Sequence, residues 1–138
     1  MGSVFRTADG AGVEMLYLSG YTPTPVDRFG RAQKDIAKTA LGAEKFLAWK
    51  YFKSPVQLIA KLRKEGWRVV AVEQHRRSAD YRNIARRRPT LFVFGNEVTG
   101  VPEKVLGECD AIVEIPMHGK KESLNVSVAA GIILFHVA

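Results

Sequence analysis

Two short glycine-bearing stretches carry the most chemistry in this chain. Gly95-Asn96-Glu97-Val98-Thr99-Gly100 follows one apolar run, and Pro116-Met117-His118-Gly119 follows another. Glycine lets backbone approach a ligand without a Cβ in the way, and it also makes plain tight turns. Both readings apply to Gly95. Neither stretch carries a common nucleotide signature. The first lacks the Lys-Ser/Thr ending of a phosphate-binding P-loop and the GxGxxG spacing of a dinucleotide fold. His75, His118 and His136 show no ligand spacing, so no metal site is expected. No Ser-His-Asp order stands out. Cys109 is the one cysteine, which excludes an intramolecular disulfide and a cysteine-rich zinc site. It reads as a small buried residue rather than a nucleophile. A second concentration of chemistry is basic: Arg76, Arg77, Arg82, Arg86, Arg87 and Arg88 precede a strand-like run. A solvated surface and a phosphate-facing patch both fit this cluster.

The elements that must position these residues alternate in type. Ser3 to Ala11 has helical character, and Val13 to Leu18 reads as a strand. Tyr21 to Gly30, with Pro23, Pro25 and Gly30, is a long loop. Lys34 to Lys50 is helix-permissive but interrupted by Gly42. A helix then follows from clear punctuation, with Ser54 as N-cap, Pro55 at the first helical position and Gly66 after the last turn. Val56, Ile59, Ala60 and Leu62 recur at helical spacing within it. Trp67–Val72, Thr90–Phe94 and Ala111–Ile115 are buried-type strands, with a short helix over Pro102–Gly107 between the last two. Leu124–Val137 is apolar almost throughout, and its length favours a helix covered on more than one side. A dimer interface is an economical cover. Strands alternating with helices predict an α/β fold with a mostly parallel sheet, whose ligands sit at the carboxyl ends of strands. Both glycine-bearing loops fall at such ends.

At 138 residues the chain suits one domain with a single core. Hydrophobic residues at 46% and charged residues at 25% argue against disorder. No apolar run reaches the length of a membrane span, and the first residues lack the apolar core of a secretory signal. With one cysteine, a reducing, cytoplasmic setting fits best. Lys+Arg number 21 against 14 Asp+Glu, a formal charge of +7, which permits a polyanionic partner such as nucleic acid.

Three stretches, in order, carry a family resemblance: Gly2-Ser3-Val4-Phe5-Arg6-Thr7-Ala8-Asp9, then Phe94-Gly95-Asn96-Glu97-Val98-Thr99-Gly100-Val101, then Ile115-Pro116-Met117-His118-Gly119 with Glu122-Ser123-Leu124-Asn125-Val126-Ser127-Val128-Ala129. They resemble the three motifs of the SpoU/TrmH family of SPOUT RNA 2′-O-ribose methyltransferases. The third is the most specific. The resemblance implies an α/β domain with a mostly parallel sheet, flanking helices and a C-terminal deep trefoil knot, an exception to ordinary chain topology. It implies S-adenosylmethionine as cofactor, tRNA or rRNA as substrate, and a homodimer formed through the C-terminal helix and knot region. The family's cofactor positions fall on Phe94, Gly95, Asn96, Gly100, Ile115, Met117, Gly119 and Leu124. Plain core is the alternative for Ile115 and Leu124.

Its catalytic positions fall on Arg6, Glu97, Ser123 and Asn125. A ribose 2′-hydroxyl is a poor nucleophile until it loses its proton, and it must attack the sulfonium methyl in line. Arg6 would act as the base, or stay charged and stabilise the developing alkoxide. Ser123 would cap the last helix or face the substrate, Asn125 would bond locally or hold the neighbouring loop, and Glu97 would pair with a cation or anchor its loop. RNA contacts are expected at Arg6, Arg28, Arg76 and Arg77. The segments Thr22–Pro25 and Lys38–Glu44 are similar to small family members without a separate RNA-binding domain. The expected unit is one catalytic domain over residues 1–138 that lacks the start of motif one, since the family's asparagine would fall just before Met1. A catalytically weakened RNA-binding module that keeps the fold is the alternative reading.

Overall fold

The larger sheet is built around one strand, β3 (Arg68–Val72), whose Val69, Val70 and Ala71 are all buried. Such a strand must be covered on both faces, as in parallel α/β sheets. The structure, a computed structural model, describes residues 2–19, 25–26, 29–85, 88–96, 98–121 and 124–138. Among these residues β3 pairs in parallel with β5 (Thr90–Phe94) on one side and β6 (Ala111–Glu114) on the other. A two-residue strand β4 (Ala79–Asp80) extends the sheet beyond β6, giving the order β4-β6-β3-β5. Val72 stands opposite both Phe94 and Val113, so the three strands end within one residue of each other. The segments leaving these strands converge on one edge.

One face of the sheet packs Val69, Ala71 and Ile112 against Ile59 of α4 (Pro55–Lys64) and against Val105 and Leu106 of α5 (Glu103–Leu106). The other packs Val70 and Val113 against Ile84 and against Ile133 of α6 (Val126–Val137). A second, parallel sheet joins β1 (Leu16–Ser19) to β2 (Trp49–Phe52). Around it lie α1 (Gly2–Gly10), α2 (Lys34–Ala40) and α3 (Ala43–Phe46), closing a core of Phe5, Ala8, Leu18, Ile36 and Leu47. Helices α1 and α6 pack together and link the two parts. A Cβ on Gly131 of α6 would lie 3.7 Å from the Thr7 methyl of α1.

Several expectations hold with shifted ends. The punctuation of α4 is as read: the Ser54 hydroxyl accepts from the Gln57 amide at 3.3 Å, and Pro55 opens the helix. Its buried stripe is Leu58, Ile59 and Leu62, while Ala60 is exposed. Lys34–Lys50 resolves into two short helices broken at Leu41 and Gly42, which take φ values of 53° and 91°. Two strands were not expected, β2 and β4. Both are short and owe their existence to pairing with distant partners rather than to local pattern. Helix α6 buries only Ala130 and Ile133, and leaves Val128 and Phe135 about half exposed at 49% and 55%. The sheet takes Ile133 and Val137 and the α1 core takes Leu134, so the helix is covered on more than one side, as expected, with Val128 and Phe135 left out.

Candidate active site

Where β3, β5 and β6 end, their following residues enclose a cleft of about 410 Å³. Glu73, Gln74 and His75 continue β3, and the 94–101 loop follows β5. Ile115 and Met117 follow β6, with Leu124, Val126 and Ala129 from the start of α6 opposite. The size is that of a small-molecule site, and the position is the usual one for an open parallel sheet.

The 94–101 loop is held by its own side chains. Asn96 Oδ1 accepts from the amides of Val98 (2.8 Å) and Thr99 (2.7 Å), and Asn96 Nδ2 donates to the Thr99 hydroxyl at 2.7 Å. The Gly100 amide donates to the Asn96 carbonyl at 3.1 Å. This closure brings Gly100 and Val101 against Gly95, where a Cβ would collide with their backbone atoms. The glycine at 95 is thus demanded by the loop's return on itself. At Gly100 two constraints act together: φ is +68°, and a Cβ would overlap the Glu73 carboxylate. Gly119 has nothing within 4 Å of its Cβ position and stands outside the cleft.

The charge of the lining is one-signed. Glu73, Glu103 and Glu114 face the cleft, and among the described residues no lysine or arginine lines it. Each carboxylate has a partner. Glu73 accepts from the Val101 amide (2.8 Å) and the Gln74 amide (3.1 Å), and Glu114 accepts from the Ser78 hydroxyl at 2.9 Å. Glu103 lies 3.1 Å from His75 Nε2. His75 Nδ1 accepts from the Arg77 amide, so the ring proton sits on Nε2 and is donated to Glu103. An acidic wall beside apolar Ile115, Met117 and Leu124 suits an uncharged ring with a cationic group, and opposes a phosphate. S-adenosylmethionine, with its adenine and sulfonium, has that chemistry.

A family model described as the SpoU rRNA methylase family matches residues 1–135. The chain belongs to this family. It is 34% identical over 133 residues to the tRNA (guanosine(18)-2′-O)-methyltransferase of Aquifex aeolicus, covering 96% of this chain and 60% of that protein. To the enzyme of the same description from Escherichia coli it is 31% identical, covering 96% and 55%. The chain thus spans little more than half the length of these relatives. A crystal structure described as an AdoMet-bound rRNA methyltransferase from Sinorhizobium meliloti superposes with a TM-score of 0.86 at 28% identity, covering 99% of this chain and 49% of that one.

On this SpoU domain, seven of the eight expected cofactor positions line the cleft: Phe94, Gly95, Asn96, Gly100, Ile115, Met117 and Leu124; Gly119 does not. Arg6 is exposed on α1 and does not line it. Asn125 is the N-cap of α6, its Oδ1 accepting from the Ser127 amide (2.8 Å) and hydroxyl (2.7 Å), so the cap expected of Ser123 is made by Asn125. Glu97, Ser123 and Arg28 lie outside the described residues, as do Arg86 and Arg87. The basic cluster divides. Arg82 is paired with Asp80 at 2.6 Å, holding that carboxyl at about 2, while Arg76 and Arg77 stand exposed on the turn after His75. Cys109 is half-buried, and burial and the Asp110 charge push its thiol up to about 11, so it stays protonated at neutral pH. The sequence reading missed Glu73, Gln74 and His75. The signal was there: polar residues directly after a buried strand of a parallel sheet face the site. Among the described residues no cluster fits a metal, and no helix is long and apolar enough to cross a membrane.

Proposed function

We propose that this chain is an RNA 2′-O-ribose methyltransferase that uses S-adenosylmethionine bound in the cleft at the carboxyl end of β3, β5 and β6. The observation that carries the reading is the lining itself, in which two motif loops meet over an acidic, phosphate-averse floor. Ile115, Met117 and Leu124 supply the apolar wall for adenine, and the carboxylates face the cationic end. S-adenosylmethionine supplies an electrophilic methyl carbon when bound. The chain must bring up a ribose hydroxyl, orient it in line and stabilise the oxygen as its proton passes to solvent, the methyl's departure from the sulfonium leaving a neutral thioether. Arg6 is the residue assigned to that task. An arginine stays charged, and a fixed guanidinium stabilises an alkoxide and grips a phosphate equally well. Support comes from its helix: α1 packs on α6, whose first turns border the cleft. Asn125 holds the start of α6 and so the Leu124 wall beside it. Glu97 and Ser123 complete the catalytic set by their motif positions.

The substrate class is tRNA or rRNA in the cytoplasm, and the two curated relatives are tRNA enzymes by description. Arg76 and Arg77, exposed beside a wall of the cleft, are the phosphate contacts of this reading, together with Arg28. The half-exposed Val128 and Phe135 of α6 support a homodimer through this helix. The C-terminal deep trefoil knot belongs to the same reading; the late strand β6, inserted between β3 and β4, and α6 packed back on the sheet support it. The test is transfer of labelled methyl from S-adenosylmethionine to unmodified cellular RNA, followed by digestion to nucleosides. Label on 2′-O-methyl nucleosides is expected, with Arg6→Ala reducing turnover far more than cofactor affinity. Label on a base refutes ribose methylation, and cofactor and RNA binding without transfer points to the weakened binding module.

A further inference from the structure

Two consecutive side chains at the end of β3 reach in opposite directions, each to a different wall of the cleft. Glu73 Oε2 accepts from the Val101 amide at 2.8 Å, on the β5 side. Gln74 Nε2 donates to the Ile115 carbonyl at 3.1 Å, on the β6 side. Strand β3 lies between β5 and β6, so both walls are referenced to one central strand. The Glu73 seat is made by four features together. Its other oxygen accepts from the Gln74 amide, and its own amide donates to the Val113 carbonyl at 3.0 Å. Gly100 leaves out the Cβ that would overlap the carboxylate, and Val101 is buried at 6% exposure. A buried amide needs its acceptor, and a charged acceptor holds it more strongly than a neutral one.

Resting on the cofactor reading above, we propose that Glu73 and Gln74 are positioning residues for S-adenosylmethionine: Glu73 sets the 95–101 loop and Gln74 sets the Ile115 wall, fixing the gap between them. The internal bonds of Asn96 shape the first loop, and the Glu73 carboxylate fixes that shaped loop to the sheet. The two roles differ in hydrogen-bond polarity. Position 73 must accept and position 74 must donate. Glutamine at 73 keeps an accepting oxygen, whereas glutamate at 74 puts a carboxylate against a carbonyl.

Titration calorimetry of the full chain with S-adenosylmethionine tests this, because it separates affinity from the number of competent sites. Glu73→Ala is expected to raise Kd about tenfold, the loss of one charged, partly buried hydrogen bond. Glu73→Gln restores binding to within about threefold, since its oxygen still serves Val101. Gln74→Ala weakens binding about threefold or more, and Gln74→Glu is no better than alanine. A merely structural defect lowers the number of sites and leaves Kd unchanged. Amide exchange supplies a reading without cofactor: the Val101 amide loses protection in Glu73→Ala and keeps it in Gln74→Ala. Wild-type Kd in Glu73→Ala, no recovery in Glu73→Gln, or wild-type binding by Gln74→Glu overturns the proposal. A wild-type chain that binds no S-adenosylmethionine overturns the cofactor reading itself.

Discussion

Gly95 and Gly119 both lie in motif loops, yet they do different work. Gly95 is closed in by the returning backbone of Gly100 and Val101, and Gly119 faces open space. A methyl added at 95 must displace backbone, which costs about 2 kcal/mol of loop stability. Gly95→Ala is therefore expected to weaken S-adenosylmethionine binding by about tenfold or more. Gly119→Ala, with no atom to displace, is expected to stay within about twofold of wild type, as a surface change within ~0.5 kcal/mol. Equal losses from both, in a binding titration, would contradict the loop geometry. Both residues were legible in the sequence as glycines of motif loops, but their neighbours were not. The closure at Gly95 involves residues five and six positions on, joined through the side chain of Asn96, and no local propensity encodes it. The place of Glu73 after a buried strand was legible, but its bond to Val101, 28 residues away, was not.

Among the described residues, α4 and α6 both start on a capping side chain, and of these two only α6 borders the cleft. Ser54 caps α4 on the far side of the sheet, and Asn125 caps α6 beside Leu124. Each cap contributes about 1 kcal/mol, so Ser54→Ala and Asn125→Ala should lower Tm by similar amounts, roughly 2–5 °C. Their effects on function should separate. Asn125→Ala is expected to weaken cofactor binding severalfold by loosening the Leu124 wall, and Ser54→Ala to leave it unchanged; matching cofactor affinities would remove Asn125 from the site. Elements with strong local signals were read correctly. Thr90–Phe94 is a strand to the residue, because its aliphatic and aromatic run has no helical punctuation, and α4 announces itself by its cap and proline. Strand β2 hides in a Trp-Lys-Tyr-Phe run that only its register against Leu16–Ser19 makes a strand.

At the scale of the whole molecule, charge is divided. The chain carries +7 overall, yet the cleft shows three carboxylates and, among the described residues, no lysine or arginine. A polyanion is drawn to the surface while the donor site remains suited to a cation. The apolar α6 was legible as a helix in want of cover, and the sheet and α1 supply most of it, leaving Val128 and Phe135 half exposed. If a second copy supplies the rest, Phe135→Asp should convert a dimer into monomers by sedimentation; a wild-type monomer would leave that face without this role. The most direct test of the central claim is an amide-exchange map of the chain with and without saturating S-adenosylmethionine. The account predicts increased protection confined to the 94–101 loop, Ile115–Met117 and the start of α6. Saturable binding that protects a different surface, or no protection at any concentration, would contradict it.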